Sequence, residues 1–265
     1  MDRTDYTEAN RLALNEAANV HRASQFAGLL ERFRQPGDNL LDATATEILL
    51  SIGLENQSVA HLCCNNGREL LSIKYLGAGR CVGFDFSEAF LEQARELCAT
   101  AQLDCEFIKS DAFEIPEGYH NQFDIVVITI GTLCWMPELG EFFEIIEKLL
   151  KPQGRLFVYE MHPVLEMFEN DITEDPLQIR YSYFKSTPWV ETDVLDYYEK
   201  TSYQGSTQYC FHHKLCDIFT AIVDTGLKIE HFREYDHDIS LVFSHFDEIE
   251  LKPPLCYTLV GVKEI

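Results

Sequence analysis

Three turns in the middle of the chain carry residues that could do chemistry, and each closes an apolar run. "SVAHLCC" gives way to Asn65-Asn66-Gly67, "RCVGFDF" closes on Asp85 and Phe86, and "CEFIKSD" closes on Asp111. Asparagine is among the few non-glycine residues that enter positive φ readily, so Asn65-Asn66-Gly67 can form a tight turn whose N–H groups face a ligand. Asp85 follows Gly67 by eighteen residues, where a carboxylate can accept hydrogen bonds from both hydroxyls of a ribose. Asp111 can accept from an adenine amino group while a neighbouring backbone N–H reaches the ring. Taken singly, each feature has a plainer explanation as a turn, a helix cap or a solvated loop residue. Ser87, however, is itself a suitable cap, which leaves the Asp85 carboxylate for another task. Together, the order and spacing point to an adenosine-containing ligand.

The elements that must position these groups follow from apolar spacing. Strands are expected at 58–64, 80–86, 105–111, 123–131 and 154–160, with helices at 67–77, after Ser87 and at 138–150. "FDIVVITIG" is almost unbroken in apolarity, as a strand buried on both faces requires. Strands alternating with helices imply right-handed βαβ units and a parallel sheet covered on both sides. A late helix through Leu215, Ile218, Phe219, Ile222 and Val223 stops at Gly226, and two strand-like segments follow near 227–234 and 255–263. The fold class is therefore α/β, a Rossmann-like, doubly wound sheet of seven mostly parallel strands. Ligands bind such sheets beyond the carboxyl ends of the strands, where the strand order switches.

One domain is expected, in four parts: an N-terminal helical cap (1–54), the ligand-binding core (55–163), an insertion (164–210) and the rest of the sheet (211–265). The insertion has no clear period but holds half of the twelve tyrosines, among them Tyr181, Tyr183, Tyr197 and Tyr198. An aperiodic stretch of this length inside a compact domain is usually functional or disordered, and its aromatic content argues against disorder.

The formal net charge of −23 disfavours nucleic acid and anionic membranes as partners. Nine scattered cysteines, with no C-x-x-C or Cys/His metal spacing, suit reduced thiols. With no basic and apolar leader and no apolar run of ~20 residues, a cytoplasmic protein is expected, as monomer or homodimer and without a metal.

The identity of the ligand turns on what is missing. A dinucleotide needs a G-x-G-x-x-G turn for its pyrophosphate, and here only Gly67 is present. A ligand with ribose and adenine but no phosphate tolerates Cys63 and Asn65 far better, and S-adenosylmethionine is such a ligand. The run "VAHLCCNNG", "VGFDFS", "FIKSDAF", "FDIVVITIGTLCW", "LLKPQGRLFVYE" resembles the class I S-adenosylmethionine-dependent methyltransferases. It is similar in particular to a branch with a His-Leu-x-Cys-His/Asn first turn, presumed to act on small molecules. Cys63, Asn66 and Gln153 depart from the usual pattern. The resemblance implies that the backbone of Cys63, Asn65 and Gly67 holds the methionine part of the cofactor and that Asp85 takes the ribose hydroxyls. It further implies that Phe86 packs on the adenine, that Asp111 and Ala112 read its edge, and that the Ile130 carbonyl meets the cofactor amino group. His61 either contacts the cofactor or is bonded within the fold.

On the acceptor side, Trp135, Glu160, His162 and the aromatic insertion should converge on a cavity. His162 is a candidate general base or a loop-fixing residue, and His213 is a candidate for substrate polarisation or simply a helix-start residue. Tyr181 and Tyr183 belong to a segment expected to form a lid over an organic acceptor. The expected activity is methyl transfer to a small organic molecule. Non-catalytic binding of S-adenosylmethionine and, less well supported, a nicotinamide-dependent dehydrogenase are the alternatives.

Overall fold

A computed structural model describes residues 1–170, 175–196 and 201–264. Tyr197 and Tyr198 lie outside the described residues. The sheet has seven strands in the order β3-β2-β1-β4-β5-β9-β8. These are β1 (Val59–Leu62), β2 (Cys81–Asp85), β3 (Cys105–Lys109), β4 (Phe123–Thr129), β5 (Leu150–Met161), β8 (Leu227–Tyr235) and β9 (Cys256–Lys263). The first five are parallel, and β9 enters antiparallel between β5 and β8. The order reverses at β1, which pairs with β2 on one side and β4 on the other, so a crevice opens beyond the carboxyl end of β1.

Burial alternates along the central strands and fills both faces. Ala60, Leu62, Val126, Ile128, Leu156 and Val158 belong to one buried cluster, together with α6 (Leu139–Leu149) and α7 (Leu215–Asp224). Val59, Ile125, Val127 and Phe157 belong to the other, with α4 (Arg68–Tyr75) and α5 (Glu88–Ala101). A period of two with both faces apolar is what an unbroken hydrophobic strand encodes. Ser87 caps α5 by accepting from the Phe90 N–H at 3.3 Å. Gln153, at the turn inside β5, takes a left-handed φ of 67°.

The insertion contains a structure that its sequence does not announce. β6 (Trp189–Asp196) and β7 (Thr201–Cys210) form a separate antiparallel pair. β7 reads "TSYQGSTQYC", too polar and too short of β-branched residues to signal a strand. Its register comes from outside. Asn10 on α1 (Arg3–Ser24) accepts from the Tyr209 N–H at 2.7 Å and donates to the Tyr209 carbonyl at 2.9 Å. Glu16 likewise accepts from the N–H and hydroxyl of Ser206, both at 2.7 Å. The Phe211 N–H donates to the Cys134 carbonyl at 2.7 Å, so the far end of the hairpin is tied to the loop after β4. The N-terminal helix and the insertion thus close the crevice as one layer. All nine cysteines are free, and no helix among the described residues is long and apolar enough to cross a membrane.

Candidate active site

Beyond β1 the chain adopts left-handed conformations at Cys63 (φ 53°), Asn65 (φ 52°) and Gly67 (φ 74°). Alternating left-handed and ordinary residues turn successive N–H groups toward a common point. Asparagine takes this conformation easily, and the Asn65 side chain accepts from the Asn66 N–H at 2.7 Å. At Cys63 the same conformation costs ~1–2 kcal/mol, strain of the kind that gathers at ligand sites. At Gly67 a Cβ would lie 2.7 Å from the Phe107 ring. Gly67→Ala is therefore expected to destabilise the protein by about 2–4 kcal/mol, through backbone strain plus overpacking. Urea unfolding checks this, and an unchanged midpoint would remove the need for glycine.

Asp85 ends β2, buried. One carboxylate oxygen accepts from the Asn65 N–H and the other from the Ser87 N–H, both at 2.8 Å. It therefore ties the turn after β1 to the start of α5, and each oxygen keeps a lone pair for a further donor. Burial pushes its pKa up to about 6, against the N–H bonds that lower it. Asp111 follows β3 and accepts from the Phe113 N–H at 3.0 Å. Burial raises its pKa too, while Arg3 at 3.9 Å partly offsets this.

Glu160, near the end of β5, has a more elaborate setting. Its carboxylate accepts from the N–H groups of Gly131 (2.9 Å), Thr132 (2.8 Å), Leu133 (3.0 Å) and Met161 (3.3 Å). The first three belong to the loop after β4, so one side chain fixes that whole loop. Burial pushes Glu160 up to about 7, again against the lowering effect of the N–H donors.

These groups open on one cavity of about 570 Å³ at the carboxyl ends of the strands, a size suited to small organic ligands. Eleven of the residues expected at a site line it: Cys63, Asn65, Asp85, Phe86, Asp111, Ala112, Ile130, Trp135, Glu160, Tyr181 and His213. Gly67, His162 and Tyr183 do not. Gly67 acts from behind, at the start of α4. The His162 ring has both nitrogens committed. Nε2 donates to Glu234 at 3.0 Å, so Nδ1 is the acceptor for the Val164 N–H at 3.1 Å. Its geometry fits the loop-fixing role rather than that of a base. The Tyr183 hydroxyl accepts from the Leu215 N–H at 3.0 Å and anchors the start of α7 instead of walling the cavity. His61 is buried against Thr129 at 3.1 Å, outside the lining, with its pKa pushed down to about 4 by burial.

His213 differs from His162. Its Nε2 lies 2.8 Å from the Met136 carbonyl, which can only accept, so Nε2 carries the proton and Nδ1 holds the lone pair. Burial lowers its pKa, which keeps that lone pair available at neutral pH.

Two contributions escaped the sequence. One is the loop-holding role of Glu160, whose position as a carboxylate closing an apolar strand parallels that of Asp85. The other is Tyr257 on β9, for which no sequence signal exists. Tyr257 lies opposite Glu160 in the antiparallel β5–β9 register, lines the cavity and is fully buried. Among the described residues, no cluster of three or more His, Cys, Asp or Glu could hold a metal ion.

Comparison with known proteins agrees with this geometry. Residues 59–154 match the family model described as a methyltransferase domain. A demethylmenaquinone methyltransferase from Lactococcus lactis is 33% identical over 123 residues, covering 44% of this chain and 47% of the relative. A trans-aconitate 2-methyltransferase from Escherichia coli is 34% identical over 117 residues, covering 43% of each. The chain thus spans less than half the length of these curated relatives. Among solved structures, an S-adenosylmethionine-dependent methyltransferase from Clostridium acetobutylicum superposes with a TM-score of 0.61 at 12% identity, over 95% of this chain and 99% of that one. The geranyl diphosphate C-methyltransferase of Streptomyces coelicolor, in complex with Mg2+, geranyl diphosphate and S-adenosyl-L-homocysteine, gives 0.57 at 12% identity, over 85% and 79%. Residues 59–154 are therefore similar in sequence to the methyltransferase domain family, and the chain as a whole has the α/β fold of the S-adenosylmethionine-dependent methyltransferases.

Proposed function

We propose that this protein transfers a methyl group from S-adenosylmethionine to a small organic acceptor. The observation that carries this reading is the joint opening of the Cys63–Gly67 turn, Asp85 and Asp111 on one cavity at the switch of strand order. The donors and acceptors suit a nucleoside without phosphates. A buried and a half-buried carboxylate, Asp85 and Asp111, await hydroxyl and amino groups, and no glycine-rich cradle for a pyrophosphate is present among the described residues.

When bound, the cofactor supplies a methyl group on a sulfonium, which an acceptor takes by in-line displacement. The chain's own residues hold and align. Asp85 accepts from paired hydroxyls, Asp111 from an exocyclic amine, and Phe86 offers an aromatic face. Glu160 keeps residues 131–133 in place, so the Ile130 carbonyl that precedes them is fixed as well. Trp135 and Tyr181 wall the acceptor side, where excluding water and fixing orientation lower the barrier. His213, with Nδ1 as its lone-pair nitrogen, is placed to take a proton from an acceptor that must lose one.

Calorimetric titration with S-adenosylmethionine and S-adenosylhomocysteine tests the cofactor, with micromolar affinity expected. Binding of a nicotinamide dinucleotide alone would refute the reading. A screen of small metabolites for transfer of a labelled methyl group then tests the activity. With an acceptor in hand, His213→Ala is expected to lower kcat at least tenfold and leave the cofactor Kd unchanged. An unaltered kcat would assign His213 to structure.

A further inference from the structure

The acceptor half of the cavity has a marked charge and one unsatisfied group. Seven carboxylates line the cavity against a single arginine, Arg68, and no lysine. Arg68 is paired with Glu69, at the cofactor turn. On the acceptor side Glu166 is neutralised. His212 faces its carboxylate with Nδ1 at 2.8 Å and the Tyr183 carbonyl with Nε2 at 2.7 Å, so both ring nitrogens carry protons.

Glu160, Glu169 and Glu191 have no such counterion among the described residues. Glu160 accepts only from backbone N–H groups, Glu169 from the Tyr181 hydroxyl at 2.9 Å and Glu191 from the Gln208 amide at 2.8 Å. Trp135, Tyr181 and Trp189 supply aromatic faces beside them. Lys185, whose ammonium lies 4.6 Å from the Trp189 ring centroid, is not among the lining residues.

The second observation is independent of charge. Tyr257 lines this cavity with no exposed surface, and its hydroxyl has no hydrogen-bond partner among the described residues. A buried hydroxyl left unmade is costly and is retained where something else completes it. Burial, together with the neighbouring Glu160 charge, raises its pKa, so it is a neutral hydroxyl that can both donate and accept.

Carboxylates held by neutral donors beside aromatic rings, with Glu169 half-buried and Glu191 at the exposed rim of the cavity, make a field that attracts cations and repels anions. We propose that the acceptor is an organic amine, bound as its ammonium ion by Glu169, Glu191 and the aromatic walls and hydrogen-bonded to the Tyr257 hydroxyl. This rests on reading the cavity as a methyl-acceptor site.

Matched probes test it. The full-length protein is titrated by calorimetry, with and without saturating S-adenosylhomocysteine, with tyramine and with 3-(4-hydroxyphenyl)propionate, which carries the opposite charge on a similar frame. Tyramine is expected to bind at least tenfold more tightly, with affinity falling as salt rises. Glu169→Gln/Glu191→Gln should abolish that preference. Tyr257→Phe should weaken tyramine at least fivefold while the protein unfolds at the same urea concentration as wild type or higher, because it loses an unsatisfied group. Equal or tighter binding of the anion, no tyramine binding, or a preference that survives the double substitution each overturns the proposal. S-adenosylhomocysteine binding without tyramine binding overturns this proposal alone. Failure of S-adenosylhomocysteine to bind overturns the methyltransferase reading, and the probe titrations without it still decide the charge preference.

Discussion

Replacing Asp85 by alanine is expected to weaken S-adenosylhomocysteine binding at least 100-fold, about 2.7 kcal/mol. Two losses combine. The first is the carboxylate proposed to accept the paired hydroxyls, where hydrogen bonds to a charged group are worth about 1.5–3 kcal/mol each. The second is the clasp itself, since the Asn65 and Ser87 N–H groups both lose their acceptor at 2.8 Å. Without it, the left-handed conformations at Cys63 and Asn65 lose a restraint that keeps their N–H groups aimed. The titration of Asp85 adds a pH signature. With its pKa near 6, the carboxylate is ionised above that value and neutral below it. Affinity should therefore fall as pH drops through 6 in the wild type and lack this step in Asp85→Ala. Calorimetry from pH 5 to 8 measures both, with circular dichroism to verify folding. Unchanged affinity in the variant would remove Asp85 from the site.

Glu160→Gln is expected to alter stability and binding together. In the wild type burial holds the Glu160 pKa at about 7 in the folded state, against 4.5 for a free side chain. Between those values folding makes Glu160 hold more of its proton, so the contribution of this group to stability is fully present at low pH and declines as pH rises from 4.5 to about 7. For one group the decline is about 3 kcal/mol. Glutamine does not titrate and should remove this part of the slope, leaving the smaller decline from Asp85 between about 4 and 6 and the opposing rise from buried His61 between about 4 and 6.5. The amide also cannot accept on both sides. One oxygen now receives Thr132 and Leu133 and the other Gly131 and Met161, so an NH2 at either place opposes two donors. The loop after β4 should shift and cofactor affinity fall at least tenfold. Urea unfolding of the ligand-free protein at pH 5, 6, 7 and 8 checks the slope. Parallel slopes in wild type and variant would rule out titration of Glu160 in this range.

Most of the cavity wall proposed to hold the cofactor was legible in the sequence because local chemistry decides it. A strand apolar on both faces, a turn that must enter positive φ and an acid at a strand end are each properties of five to ten adjacent residues. Cys63, Asn65, Asp85, Phe86, Asp111 and Ala112 accordingly reach the cavity from the positions their strands imply. The wall proposed to face the acceptor was less legible because it is made of groups distant in the chain. His162 and His213 are alike in sequence terms, each adjoining an element. Only the strand at β8 decides that Glu234 engages His162, and only the loop after β4 decides that the Met136 carbonyl sets the His213 tautomer.

The β6–β7 hairpin makes the same point about backbone. The residues of β7 lack the pattern of a strand, and it depends on Asn10 and Glu16, some 190 residues earlier, for hydrogen bonds that no local window contains. Tyr257 has no local signature either. Its place across from Glu160 follows from the antiparallel entry of β9 into the sheet. By itself, then, the sequence determined the sheet, the glycine-poor turn and the carboxylates that open on the cavity, since these follow from neighbouring residues and backbone sterics. Tertiary structure alone decided which histidine keeps a free nitrogen, which carboxylate holds the loop after β4 and which hydroxyl is left unpaired, since each depends on a partner brought from another part of the chain.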